Sequence, residues 1–152
     1  MKLGARATSR RSWRPTTPTV PSAGDTLRGS ETILVVADTR VPRGALAGVL
    51  RQHGYRVLEA SDVVEAQRLA RSCRRIHLLL MDLFSPETYH FQLVRWFQAM
   101  YPKAKVLIAS DTVWELYIDL DISQQIALLA KPFTPIELAR MVRRVLGRSS
   151  AV

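Results

Sequence analysis

The pattern of apolar and polar residues changes near residue 32. Before this point no apolar period of 2 or 3.6 residues is visible, and after it short apolar runs alternate with longer amphipathic stretches. The runs predict strands at 33–37, 55–60, 76–81, 105–109 and 126–130. Those at 33–37, 76–81 and 105–109 are nearly continuous, which is typical of strands covered on both faces of a parallel sheet.

Five amphipathic stretches that follow these runs predict helices. The first has Pro42 in its first turn and Gly54 at its end, and the last opens with Thr134 three residues before Glu137 and stops at Gly147. The predicted helices cover 42–53, 62–73, 88–100, 111–120 and 135–146. Five βα units with right-handed crossovers predict an α/β fold of the flavodoxin-like type: a doubly wound, five-stranded parallel sheet with strand order 2-1-3-4-5 and five helices.

Residues 1–30 are rich in Pro, Ser, Thr, Gly and Arg, and nothing in them offsets the entropy lost on ordering. They hold six basic residues and one acidic residue, and so supply about half of the net charge of +9. We predict a disordered basic N-terminal tail at 1–30, a folded domain at 31–148 and a C-terminal tail at 149–152. For residues 1–30, a plain tail or misassigned start codon, an interaction arm and a targeting segment stay open.

Composition excludes several classes of protein. A chain of 152 residues fits one domain, and no stretch approaches the roughly 20 apolar residues that cross a bilayer. Cys73 is the one cysteine, so an internal disulfide is impossible. His53, His77 and His90 share no metal-ligand spacing with it or with each other, and we expect helix-end or strand roles for His53 and His77. A reducing, cytoplasmic compartment is the expectation.

Polar residues follow the predicted strands at one edge of the sheet. In chain order they are Asp38, Asp82, Ser110, Asp111 and Lys131. Ligands bind beyond the C-terminal ends of parallel strands, so we expect two carboxylates from the first and third strands to meet a hydroxyl and an ammonium group there. Carboxylate and carbonyl oxygens suit Mg²⁺, and a carboxylate can accept a phosphoryl group as an acyl phosphate.

Four segments carry a resemblance to a known family. They are ILVVADT (33–39), LLLMDLFSP (78–86), VLIAS (106–110) and KPF (131–133), in this order and each at a predicted strand end. Together they resemble the CheY-like receiver domain of two-component response regulators, across about residues 31–147. The resemblance implies a stand-alone receiver in phosphorelay signalling. Such a receiver is not an enzyme beyond self-phosphorylation and autodephosphorylation.

The resemblance also implies roles for individual residues. Asp82 matches the phosphoacceptor, Asp38 a direct Mg²⁺ ligand, Phe84 a ligand through its backbone carbonyl, Ser110 the hydroxyl that binds the phosphoryl group and Lys131 the ammonium that pairs with it. The implied donor is a phosphohistidine on a sensor histidine kinase or phosphotransfer protein. A homodimer or effector is implied at the face made by the fourth and fifth strands and helices. Membranes and nucleic acids are not expected partners.

Four positions depart from the family's pattern. Ala37 stands where a second acid usually precedes Asp38, so Mg²⁺ binding should be weakened, and Asp111 puts a carboxylate where a small residue is usual. Leu128 replaces the aromatic switch residue, and His90 replaces a glycine. These departures leave open a second hypothesis, a degenerate receiver that binds partners without phosphorylation.

Simpler roles stay open for the same residues. Asp38 and Ser110 could cap the helices that follow them, and Lys131 could be a solvated loop residue. Cys73 has no partnered base and is interpreted as a helix-face residue. We interpret the aromatic residues of the third helix as core or partial core; they are Phe91, Trp96 and Phe97.

Three further surfaces are weighed on sequence alone. The basic residues of the last helix predict a solvated face or a partner surface; they are Arg140, Arg143, Arg144 and Arg148. Trp13, between arginines in the tail, allows a less favoured nucleic-acid hypothesis. A flavin site is disfavoured, because the loop after the first strand lacks a Gly-rich or Ser/Thr-rich phosphate cradle.

Overall fold

A computed structural model describes residues 27–83, 88–111 and 126–147. Its five strands form one parallel sheet in the predicted order β2-β1-β3-β4-β5. The strands are β1 (Thr32–Ala37), β2 (Arg56–Ala60), β3 (Leu78–Leu83), β4 (Lys105–Ser110) and β5 (Ile126–Ala130). The order reverses between β1 and β3, and the C-terminal ends of these two strands therefore lie side by side at a switch point.

Helices cover both faces of the sheet. Within the described residues there are four, against the five predicted: α1 (Arg40–Gln52), α2 (Val63–Arg71), α3 (Thr88–Met100) and α4 (Pro135–Leu146). The predicted helix at 111–120 lies almost wholly outside the described residues. The bounds predicted for α3 and α4 are confirmed, and none of the helices in this part of the chain is long and apolar enough to cross a bilayer.

Burial explains why the central strands have continuous apolar sequences. Every residue of β1 is buried, and β4 is buried after its first residue. One core joins alternate strand residues to α2 and α3, with Phe97 fully buried in it and Trp96 packed at its margin. The second core lies on the other face, where Leu50 of α1 and Leu138 of α4 are buried. The core interpretation of the helix-three aromatics is thus confirmed for Phe97 and, in part, for Trp96 and Phe91.

Local signals set the ends of the helices. Asp62 caps α2 by accepting a hydrogen bond from the Glu65 amide, and Thr134 and Glu137 form the predicted capping box of α4. Gly54, just past the C-cap of α1, has φ of 96° and lies so close to the Gly29 carbonyl that a Cβ would meet it at 2.5 Å.

Several predicted bounds are wrong by one or two residues. The first helix begins at Arg40 rather than at 42, because Thr39 is its N-cap and Pro42 occupies the third position. The third strand spans Leu78–Leu83 rather than 76–81, because its pairing with β1 and β4 continues through Asp82. Asp82 therefore lies inside the strand end and not beyond it.

The segment before β1 packs against the domain. Leu27 is buried, and the Gly29 amide donates to the His53 carbonyl at 2.9 Å. Arg143 of α4 donates to both carboxylate oxygens of Glu31, at 2.6 and 3.3 Å. Residues 27–30, which the sequence analysis assigned to the tail at 1–30, thus contact the domain. The rest of that tail, 1–26, and the end of the chain from 148 lie outside the described residues.

Candidate functional site

Asp82 lies at the C-terminal edge of the sheet between two neighbouring strands. Its Cα is paired with that of Ala37 in β1 and that of Ala109 in β4. The apolar residues before it are fully buried, which fixes the strand, and the Asp82 side chain itself is only 8% exposed. A carboxylate this buried requires a compensating charge or ligand.

Lys131 supplies a compensating charge. It follows β5 directly, its amide donates to the Ser110 carbonyl at 3.1 Å, and its Nζ contacts Oδ1 of Asp82. Within the described part of the chain no hydrogen bond reaches that oxygen. Ser110 is fully buried at the end of β4, in register with Leu83 and Ala130. The structure therefore brings together the predicted carboxylate, hydroxyl-bearing residue and lysine.

Asp38 is at the same edge but in a different environment. It follows Ala37, the β1 partner of Asp82, and it is exposed. Its Oδ1 accepts a hydrogen bond from the Thr39 hydroxyl at 3.2 Å. The capping alternative for Asp38 is wrong, because Thr39 is the N-cap of α1 and no side-chain cap bond is formed. Arg43 donates to the Ala37 carbonyl at 2.7 Å and so ties the end of β1 to α1.

The remaining predicted site positions divide into described and undescribed residues. Asp111 is exposed beside the site, and Leu128 is half-buried in β5, paired with Ile108. Phe84 lies outside the described residues with the rest of 84–87, and so does 112–125, which contains most of the predicted fourth helix of the output face. The predicted carbonyl ligand and the capping alternative for Ser110 therefore stay predictions.

A cleft of about 390 Å³ opens over the buried carboxylate. We call it the acidic cleft; its walls are Pro42, Asp82, Asp111, Lys131, Pro132 and Phe133. The peptide bond between Lys131 and Pro132 is cis. The cleft thus presents a carboxylate paired with an ammonium group, a second carboxylate at its rim, and access from solvent.

The donor set fits a hard cation. The Asp82 carboxylate and the exposed Asp38 carboxylate are both at this edge, and oxygen ligands of this kind are those that Mg²⁺ prefers. The described residues contain no group of three or more His, Cys, Asp or Glu arranged for a metal. A Mg²⁺ ion bound here would therefore need further oxygen ligands from backbone carbonyls or water, as is usual for this ion.

Solved structures with a similar fold are receivers. The receiver domain of the hybrid histidine kinase CckA matches 76% of this chain and 99% of its own length, with 29% identity and a TM-score of 0.64. CheY4 of Vibrio cholerae matches 77% of this chain and 99% of its own, with 26% identity and a TM-score of 0.67. The sheet and its helices form a CheY-like receiver domain.

Curated relatives of this receiver domain are longer proteins. It is 30% identical to the aerobic respiration control protein ArcA of Escherichia coli K12 over 118 residues, which are 77% of this chain and 49% of ArcA. It is 28% identical to the sensor kinase CckA of Brucella abortus over 124 residues, 80% of this chain and 13% of that kinase. The chain therefore spans half or less of each relative, and no model of a protein family matches it.

One solved structure of the same fold carries ligands. The response regulator TrrA of Thermotoga maritima, determined in complex with Mg(2+)-BeF, has 23% identity to this receiver domain and a TM-score of 0.63. At this degree of sequence identity, the comparison shows a shared fold and nothing more. The receiver fold does not define a class of enzymes. As a family, receivers interact with histidine kinases and phosphotransfer proteins.

The sequence missed a second charged group at the opposite edge of the sheet. Arg143, expected on a solvated or partner face, is instead mostly buried against Glu31 and Tyr55, and its Nη1 donates to the Tyr55 hydroxyl at 3.2 Å. Its Nε and Nη2 donate to the Gly147 carbonyl at 3.0 and 2.7 Å. No motif marks a contact between residues 112 positions apart; the one available signal was Tyr55, a large polar aromatic at the start of a predicted strand.

Proposed function

We propose that Asp82 is the phosphoacceptor of this receiver domain, and that the donor is a phosphohistidine on a sensor histidine kinase or phosphotransfer protein. The observation that carries the proposal is the contact between Lys131 Nζ and the buried Asp82 carboxylate, beneath an open cleft. A carboxylate in such a position is reachable by a phosphoryl group, and the ammonium group is already where negative charge is added.

The chemistry follows from this geometry. An oxygen of Asp82 attacks the phosphorus, a P–O bond forms as the P–N bond of the phosphohistidine breaks, and the electron pair returns to the imidazole nitrogen. Lys131 stabilises the charge carried by the transferred group, and the Ser110 hydroxyl, at the end of the neighbouring strand, donates a hydrogen bond to it.

Asp38, Asp82 and the backbone carbonyl of Phe84 are the residues that would hold Mg²⁺. When bound, the ion supplies positive charge that stabilises the phosphoryl oxygens during transfer. Ala37 provides no carboxylate beside Asp38, and Asp111 adds a negative charge at the cleft mouth. We therefore expect weak Mg²⁺ affinity and slow phosphorylation.

The test is phosphorylation of the full chain by acetyl phosphate with saturating Mg²⁺, measured by intact mass. Wild type should gain one phosphoryl group that hydroxylamine removes, as an acyl phosphate requires, and Asp82→Asn should gain none. Asp111→Asn is the matched control, because it removes a carboxylate from the same cleft without touching the acceptor. It should be phosphorylated at least as fast as wild type, since the repulsion of a dianionic donor is reduced.

Two results would contradict the proposal. One is an adduct that persists in Asp82→Asn. The other is a wild-type chain that is never modified and whose tryptophan fluorescence does not respond to Mg²⁺ with beryllofluoride. The degenerate, phosphorylation-independent receiver would then be the better hypothesis, and equal partner binding by wild type and Asp82→Ala would support it.

A further inference from the structure

The N-terminal edge of the sheet carries a surface unlike that of the acidic cleft. All five parallel strands begin here, with Thr32 in register with Arg56 and Leu78 in register with Lys105. His77 immediately precedes β3, and Asp82 lies five residues further along the chain. A strand rises by about 3.3 Å per residue, so the two edges are about 16 Å apart. A ligand at this edge is therefore outside the phosphoacceptor site.

A cleft of about 390 Å³ opens at this edge, between the ends of α3 and α4. We call it the far-edge cleft. Its apolar wall includes Ile76, Met100, Tyr101 and Leu146, and Met100 is 50% exposed. The volume is within the range of small-molecule sites, roughly 300–1,000 Å³, which are mostly apolar with a few placed polar groups.

Positive charge surrounds the far-edge cleft. Arg75, Lys103 and Lys105 line it, and a neighbouring cleft that shares Arg75 and His77 adds Arg56 and Arg74. The acidic residue that lines either cleft is Glu31, whose carboxylate Arg143 holds at 2.6 Å. Three cations therefore line the far-edge cleft and two more line its neighbour, against one carboxylate that is already paired, which favours an anionic ligand over a neutral or cationic one.

Two polar side chains in the walls are fixed in position. His77 Nδ1 accepts a hydrogen bond from the Thr32 amide at 3.0 Å, and burial, with the charge of Arg75, lowers the pKa of His77. The ring is thus neutral near pH 7 and keeps its proton on Nε2, the nitrogen that can donate to a ligand. The Tyr101 hydroxyl donates to the Ala70 and Cys73 carbonyls, which holds its ring in place as a wall of the cleft.

We propose that the far-edge cleft binds a nucleoside diphosphate, with the phosphates on Arg75, Lys103 and Lys105 and the base against the Met100 and Tyr101 side chains. The cations favour a ligand that carries two or more negative charges. The apolar wall favours a ligand that also has a flat, weakly polar group, which inorganic phosphate lacks. The proposal is independent of phosphorylation at Asp82.

The experiment is calorimetric titration of the full chain, at about 0.15 M salt, with ADP, UDP, pyrophosphate, adenosine and a short single-stranded oligonucleotide. We expect 1:1 binding of at least one nucleoside diphosphate, weaker binding of pyrophosphate and none of adenosine. In NMR spectra, the amide signals that shift on binding should belong to residues 75–77 and 100–105. The double variant Arg75→Gln/Lys103→Gln should weaken binding about tenfold or more.

Arg95→Gln/Arg140→Gln is the matched control, because it removes the same charge from exposed residues of α3 and α4 outside the cleft. It should change affinity by less than about twofold, since distant exposed charges are screened. Both double variants alter exposed side chains, and equal thermal midpoints would show that each folds.

Several results would overturn the proposal. These are no binding of either nucleoside diphosphate at about 1 mM, pyrophosphate binding as tightly as ADP, or binding retained in Arg75→Gln/Lys103→Gln. An oligonucleotide that binds far more tightly through the same residues would instead assign the surface to nucleic acid.

Discussion

The two edges of the sheet each hold a cation paired with a mostly buried carboxylate, and the two pairs are built differently. At the C-terminal edge Lys131 contacts Asp82, with side-chain exposures of 17% and 8%. At the N-terminal edge Arg143 contacts Glu31, with exposures of 11% and 16%. Burial is thus similar, but Arg143 also donates to Tyr55 and to two backbone carbonyls, whereas Lys131 and Asp82 both line a cleft that opens to solvent.

This contrast indicates a different role for each ion pair. A buried ion pair stabilises a fold when the remaining donors and acceptors are satisfied. Arg143 meets that condition by joining residues 28–31, Tyr55 just before β2 and Gly147 just after α4. The Asp82 pair lies in the wall of an open cleft, where a ligand can reach its charge. We infer that Arg143 serves stability and Asp82 serves chemistry.

The largest expected effect is that of Arg143→Ala. It leaves the Glu31 carboxylate unpaired, removes a donor from Tyr55 and uncaps the end of α4. We expect the free energy of unfolding to fall by about 3 kcal/mol, measured by urea denaturation. Arg144→Ala is the neighbouring control on the exposed side of α4 and should change it by about 0.5 kcal/mol or less. If Arg143→Ala lost no more stability than Arg144→Ala, the contacts of Arg143 would not stabilise the fold.

A matched pair of substitutions compares the two edges directly. Glu31→Gln and Asp82→Asn each replace a carboxylate by an amide of the same shape. We expect Glu31→Gln to cost about 2 kcal/mol, because Arg143 loses a charged acceptor. Asp82→Asn should cost less than about 1 kcal/mol, because the Lys131 ammonium group that loses its partner lines an open cleft and can be hydrated there. If Asp82→Asn lost as much stability as Glu31→Gln, the two ion pairs would contribute equally to the fold, contrary to this prediction.

Sequence predicted the fold and the Asp82 edge because both depend on local signals. Apolar runs mark β1, β3 and β4, and Asp82 and Lys131 each stand at a strand end, where the topology brings them together. The predicted extent of β3 was wrong, because a polar residue such as Asp82 can stay paired when the strands on both sides continue alongside it.

The Arg143 edge could not be predicted in the same way. Periodicity places Arg143 on the polar side of α4, and this pattern is the same for a solvated arginine and for one that reaches Glu31 across the domain. The contact depends on how residues 27–31 return over β2, where Gly29 lies so close to Tyr55 that a Cβ would meet the ring at 2.3 Å. Such tertiary placement leaves no trace in a single sequence.

The smallest expected effect, and the most specific, is a change in how protein stability depends on pH in the acid range. Burial alone would raise the pKa of Glu31, but hydrogen bonds and charge from Arg143 outweigh it, so the pKa lies below the usual 4.5. The unfolded chain therefore binds this proton at a higher pH than the folded chain does. The stability contributed by Glu31 is present above about pH 4.5 and is lost as pH falls through the folded pKa.

Glu65 and Glu137 also have lowered pKa values, through hydrogen bonds from the Ser61 and Thr134 amides, so wild type alone cannot isolate Glu31. The measurement is the urea midpoint from about pH 6 to about pH 3 for wild type and Glu31→Gln. The variant should lose less stability over this interval, and the two curves should converge at the acid end. Parallel curves would show that Glu31 does not hold its charge through Arg143, and the stabilising role of that edge would then rest on its uncharged contacts alone.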